Sequence, residues 1–136
     1  GISTCGVMAA PADGSGGQRA ITRDNGGNPH WSPRGDKLVY QASDDAGHTQ
    51  VYVVNADGSG KKQLTSGKSN DGQPAWSRDG NAIFWRSDQN GTAWGIFVMN
   101  ADGSSPRRIL NNVPPDADLW GWESLFGRAT AGCRSD

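Results

Sequence analysis

Cysteine, histidine and unbroken apolar sequence are all scarce in this chain. Its 136 residues include two cysteines and two histidines, which leaves little material for a zinc centre. Neither His30 nor His48 has a Cys, His or Glu at ligand spacing. No run approaches the roughly 18 apolar residues that mark a membrane-spanning helix, so no membrane span is expected. Charge of one sign is also missing: 13 basic residues face 14 acidic ones, a net of −1. A phosphate backbone calls for a basic surface, so nucleic acid is excluded as a partner. Gly-x-Ser-x-Gly, Walker and His-Glu-x-x-His patterns are absent, and paired carboxylates such as Asp44-Asp45 sit in a turn. The expectation is a non-enzymatic protein.

What the chain has instead is glycine, 20 residues, and tryptophan, six. Many glycines with many aromatics suit short strands joined by tight turns. The chain also repeats itself. Pro29-His30-Trp31-Ser32 returns as Pro74-Ala75-Trp76-Ser77, Leu38-Val39-Tyr40 as Ile83-Phe84-Trp85, and Gln63-Leu64 as Arg108-Ile109. Val53-Val54-Asn55-Ala56-Asp57-Gly58-Ser59 returns as Val98-Met99-Asn100-Ala101-Asp102-Gly103-Ser104. Every match falls at a spacing of 45, the size of one four-stranded propeller blade. Each repeat divides into four runs, A to D. In the first, A surrounds His30-Trp31-Ser32, B is 37–42, C is 50–55 and D is 62–65. In the second, A surrounds Ala75-Trp76-Ser77, B is 82–87, C is 95–100 and D is 107–110. Gly-containing turns separate them. The fold class is therefore all-β, in propeller blades of four antiparallel strands.

The wording Pro-x-Trp-Ser-x-x-Gly, an apolar strand, Val-x-Asn-Ala-Asp-Gly-Ser and then Leu-Thr resembles the TolB-like (PD40, WD40-like) propeller repeat. The full copies cover residues 28–110. Arg34 stands where the pattern has Asp before Gly35, whereas Asp79 keeps it. The chain has few repeats and lacks the separate α/β domain of TolB, so TolB's own partners do not carry over.

The flanks are partial repeats. Ala12-Asp13-Gly14-Ser15-Gly16 matches Ala56-Asp57-Gly58-Ser59-Gly60, and Ala20-Ile21-Thr22 matches Gln63-Leu64-Thr65. Residues 1–27 thus read as strands C and D of a partial blade, followed by blades at 28–72 and 73–115. Residues 116–136 read as strands A and B, with Leu119 to Trp122 as A and Leu125 to Ala131 as a weak B. A composite blade built from both ends is expected, because propellers close in this way and sheet edges are hidden by it. Cys5 would open strand C and Cys133 would follow strand B, within reach of a disulfide. That bond implies an oxidising compartment, extracellular or periplasmic. The chain opens on Gly1 without an initiator methionine, which points to a processed or excised form.

Two full blades and one composite make about three. Propellers usually have four to eight blades, and six is the number that the TolB resemblance implies. The expectation is therefore self-association by exchange of terminal strands, as a closed homodimer or a head-to-tail fibre. One alternative is a fragment of a larger TolB-like propeller that binds a protein partner. Another is a carbohydrate-binding lectin.

Candidate sites follow the repeat. Asp24, Asn25, Asn70, Asp71, Asp116 and Asp118 precede the A strands and would recur around one channel mouth, where oxygens could hold calcium; turn capping explains them more simply. Asn55-x-Asp57-x-Ser59 and its copy imitate the start of a calcium loop, but Ser66 and Asn111 stand where a bidentate Glu belongs. Arg34-Gly35-Asp36 occupies an ordinary A–B turn. Trp31, Trp76 and Trp122 recur in register and are expected to pack between blades. Trp94 and Trp120 fall off the repeat and are candidates for sugar stacking or for a junction between chains. Asn90-Gly91-Thr92 is a candidate glycan acceptor.

Overall fold

A computed structural model of the chain describes residues 3–11, 13–89, 94–111 and 128–135. Among the described residues there are eleven strands and no helix. The first full blade contains β3 (Gly27–Trp31), β4 (Lys37–Ser43), β5 (Thr49–Asn55) and β6 (Lys62–Gln63), paired antiparallel in that order. The second contains β7 (Asp71–Trp76), β8 (Ala82–Ser87), β9 (Gly95–Asn100) and β10 (Arg107–Leu110) in the same order. The third sheet joins the chain ends: β11 (Arg128–Ser135) pairs with β1 (Ser3–Ala10), which pairs with β2 (Arg19–Ala20). The expected strand A of this composite blade, with Trp120 and Trp122, lies outside the described residues, as do Asn90, Asp116 and Asp118.

Several boundaries differ from expectation: β4 runs one residue further, to Ser43, β5 begins one earlier, at Thr49, and three larger differences have a visible cause. Strand D of the first blade stops at Gln63 rather than Thr65. Leu64 and Thr65 leave the ladder because both N–H groups turn onto the Val51 carbonyl, at 2.8 and 3.4 Å, while Thr65 Oγ1 accepts the Val51 N–H at 2.9 Å. Ile21, Thr22 and Val7 make the same clamp in the composite blade. Strand A begins earlier, at Gly27 and Asp71, and carries a bulge in each blade. The bulge residues Asn28 (φ 48°) and Gln73 (φ 47°) are repeat equivalents; the strain is offset at Gln73 by its N–H bond to Gln41 Oε1, 2.9 Å. Finally, β11 runs to Ser135 because β1 offers it eight consecutive partners. The cysteines therefore lie inside the paired strands, with Cys5 directly opposite Cys133.

Strand alternation sends side chains to both faces of each blade. Leu38, Tyr40, Ala42, Tyr52 and Val54 face the composite blade, where they bury Val7, Ala9 and Ile21. From the opposite face, Val39 and Val51 pack with Trp76, Ile83, Trp85 and Met99 of the second full blade. Full burial of each large side chain contributes roughly 1.5–3 kcal/mol, so the blades hold one another chiefly by these two seams. The aromatic stacking repeats as well: Tyr40 on Tyr52 at 5.7 Å and Trp85 on Phe97 at 5.5 Å.

Candidate functional site

The polar residues expected at a channel mouth are distributed along the blade seams. Asp24 sits half-buried under the composite blade. Its carboxylate accepts bonds from Tyr40 Oη (2.7 Å), Thr22 Oγ1 (2.8 Å) and Gly26 N (3.1 Å), and pairs with Lys61 Nζ at 2.7 Å. Burial alone would raise its pKa; the bonds from Lys61, Tyr40 and Thr22, with the lysine charge, outweigh this and hold it below the ordinary carboxylate value. Asn25 donates its N–H to the Cys5 carbonyl at 2.9 Å. Asn70 bridges blades: its Oδ1 accepts from Thr49 N (3.1 Å) and its Nδ2 donates to Asp88 (2.9 Å). Asp71 is buried and takes the Trp85 indole N–H at 3.3 Å. Burial pushes its pKa up despite the hydrogen bonds from Ser87 and Trp85. Among the described residues no three acidic, His or Cys side chains gather as a metal set.

Two of the other expected features take structural form in turns. Asp57 Oδ1 accepts from Ser59 N and Oγ, and Asp102 does the same for Ser104; their oxygens close C–D hairpins. In the A–B turns, Asp79 holds Ser77 Oγ at 2.6 Å. The first blade has Arg34 at the corresponding position, and Asp36 takes over, holding Ser32 Oγ at 2.7 Å. Trp31 and Trp76 are buried in the two seams.

Trp94 is half-buried, with the Arg86 guanidinium over its ring at 5.4 Å. Arg86 is itself buried and donates to Gln73 Oε1 at 3.0 Å. A cleft of about 210 Å³ lies here, lined by Trp94, Arg86, Asn28, Gln41, Asn70 and Gln73 among others. A second cleft, about 470 Å³, opens between the full blades at the turn end, beside Arg34, Asp36, Lys62, Asp79 and Asp102.

Sequence reasoning missed several residues that join blades. His30 reads as dispensable beside Ala75, yet its Nδ1 accepts the Trp76 N–H at 3.2 Å. Gln41 Oε1 accepts from both Asn28 and Gln73. Arg19 Nη1 donates to the Ala56 carbonyl at 2.8 Å, and Lys62 Nζ to the Asp102 carbonyl at 3.3 Å. The last pair left a signal: the first residue of every D strand, Arg19, Lys62 and Arg107, is basic.

The repeated blade and its repeated turns agree with a family model, that of the TolB β-propeller domain (PD40), which matches residues 14–116. The chain belongs to the TolB β-propeller family. Among solved structures it is similar to the putative TolB from Agrobacterium tumefaciens, at 28% identity and a TM-score of 0.63, over 69% of this chain and 34% of that one. It also resembles a chain of the nidogen/laminin complex (18% identity, TM-score 0.60, 76% of this chain and 40% of that one). A third likeness is to the β-propeller domain of the Trilobed protease from Pyrococcus furiosus, which has an open velcro topology (12% identity, TM-score 0.57, 96% and 46%). No curated protein matches the chain. This TolB-type chain spans about a third of the Agrobacterium protein; it is a piece of a propeller, not a complete ring.

Proposed function

We propose that this TolB-like propeller piece is a non-catalytic protein-binding module, extracellular or periplasmic, that completes its ring by associating with a second copy of itself. The carrying observation is the blade count. The described sheets are two full blades and one composite, half of the six that a TolB-type ring would need. Exchange of terminal strands is not required for the association, because β1 and β11 of one chain already pair with each other. Blade faces are the parts left to be matched. A binding role is supported by the way Asp24 and His30 are engaged in holding blades together, with Asp71 tied to Trp85 inside its own blade, and by the nidogen/laminin relative, a chain from a protein–protein complex. The compartment follows from a Cys5–Cys133 disulfide. Facing residues of an antiparallel pair stand about 4.5–5.5 Å apart at Cα, within bridging range, and such bonds persist in oxidising surroundings.

Light scattering on the purified chain tests the association. A particle of twice the 14.4 kDa chain mass is expected. A monomer that persists at high concentration would refute it and favour a fragment of a larger propeller.

A second reading rests on the 210 Å³ cleft, where an indole and several amides face one space. Sugar rings bind to such surfaces. Binding on a glycan array that is lost in Trp94→Ala would establish the lectin reading; silence across a broad array would end it.

A further inference from the structure

The contacts between blades repeat in kind, though not atom for atom. From the composite blade to the first full blade, Arg19 reaches the Ala56 carbonyl; the Ser59 hydrogen bonds chiefly lower the pKa of Asp57, and the Arg19 charge adds a smaller push in the same direction. Beside it the Ile21 side chain is buried, and the Ile21 carbonyl lies 2.7 Å from where a Cβ on Gly58 would stand. From the first full blade to the second, Lys62 reaches the Asp102 carbonyl and adds in the same way to the Ser104 bonds that lower Asp102. There Leu64 packs into the seam, its Cδ2 3.2 Å from the Cβ position of Gly103. Each blade thus presents a basic residue and an apolar residue from the D-strand region, and the next blade receives them on its Ala-Asp-Gly-Ser turn.

At the two ends of the series this device stands unmatched. The second full blade presents Arg107 and Ile109 at the same positions, but among the described residues the Arg107 guanidinium bonds locally, to the Ser105 carbonyl at 3.3 Å. Ile109 is 46% exposed and its neighbour Leu110 55%, and they are the exposed large apolar side chains among the described residues. At the other end, the composite blade has the receiving turn in the same form: Asp13 Oδ1 accepts from Ser15 N at 2.8 Å, and Gly14 has φ 77°. Yet Asp13 and Gly14 are exposed, and nothing among the described residues lies within 4 Å of the Gly14 Cβ position.

Resting on the self-association reading above, we infer that these two ends are the two halves of one interface: the β10 end of one copy docks on the Asp13–Gly16 turn of a second copy, and the same contact is made in return. The occupant is a second copy because that turn repeats the Asp-Gly-Ser of the turns that already receive Arg19 and Lys62. The charges are complementary, Arg107 to Asp13, and the exposed apolar pair would enter a seam as Ile21 and Leu64 do. Two three-blade chains joined at both ends by a two-fold axis make six blades.

Analytical ultracentrifugation of charge-reversed variants tests the pairing. Ile109→Asp and Arg107→Glu alter exposed residues, so circular dichroism should match the parent while the dimer dissociation constant rises at least tenfold. Asp13→Arg should do likewise. An equimolar mixture of Arg107→Glu and Asp13→Arg chains should recover the dimer, because each contact between position 107 and position 13 then pairs opposite charges; a mixture that associates no more tightly than either variant alone would overturn the pairing. A parent dimer insensitive to Ile109→Asp and Arg107→Glu would overturn this interface and leave self-association standing. A monomeric parent would overturn both. Long fibres dissolved by the same variants would overturn the two-fold closure.

Discussion

Removing the Asp24 carboxylate should loosen the seam between the composite blade and the first full blade by a definite amount. In Asp24→Ala, the Tyr40 hydroxyl loses its acceptor while its ring stays fully buried. An unsatisfied buried donor costs about 1–3 kcal/mol. The Lys61 pair contributes less, about 0–1 kcal/mol, since the lysine side chain is 44% exposed and screened. Loss of the Thr22 bond adds about 1 kcal/mol. The expected total is about 3 kcal/mol, or roughly 10 °C in Tm for a chain of this size. Tyr40→Phe removes the donor that Asp24→Ala strands, so the double variant should be about 1–2 kcal/mol more stable than the sum of the singles. The pH dependence has a defined sign. Asp24 has a lowered pKa in the folded chain, so its contribution is present above the unfolded value of about 3.9 and is lost as pH falls below it. Urea denaturation of the four proteins at pH 7 and pH 3.5 measures both effects. Strict additivity at pH 7, or an Asp24→Ala penalty unchanged at pH 3.5, would refute the reasoning.

Three further outcomes follow from individual contacts. His30 must be neutral at Nδ1 to accept from Trp76, and burial lowers its pKa against the smaller opposing effect of a backbone hydrogen bond. Its contribution is therefore full above the unfolded value of about 6.5 and declines as pH falls, so His30→Ala should flatten the stability profile between pH 7.5 and pH 5.5. In Gly6→Ala the new methyl would run into the Thr22 carbonyl and hydroxyl; backbone cannot yield cheaply, and thermal melts should show a loss of several kcal/mol, about 2 or more. Cys5→Ser should lower stability by about 2–5 kcal/mol if the proposed bond closes the chain ends, and the parent should migrate as a single chain on a non-reducing gel; a covalent dimer there would contradict bonding within one chain.

Much of this architecture was legible because a propeller repeats one local problem. The 45-residue period, the Gly turns and the apolar alternation of 82–87 and 95–100 locate β8 and β9 residue for residue, since each strand carries its own pattern and its own turn. The composite blade was legible from the complementary halves at the two ends, and β1 and β11 do pair. Less legible were the strand ends. Thr65 looks like a strand residue, yet its hydroxyl and N–H both turn onto Val51. The mouth residues were harder still, because Asp24 and Asn70 find partners, Lys61 and Thr49, that are remote in sequence.

By itself the sequence determined the blade: its period, its strands and its turn chemistry, which depend on residues near one another in the chain, and the division of one blade between two ends, which the complementary partial repeats spell out. Tertiary structure alone decided how blades meet. His30 matters where Ala75 does not only because the neighbouring blade places the Trp76 N–H beside it. Ile109 is chemically the equal of Ile21, yet one is buried and the other exposed. Burial depends on whether a next blade is present, and that is a property of the assembly in space rather than of the residue.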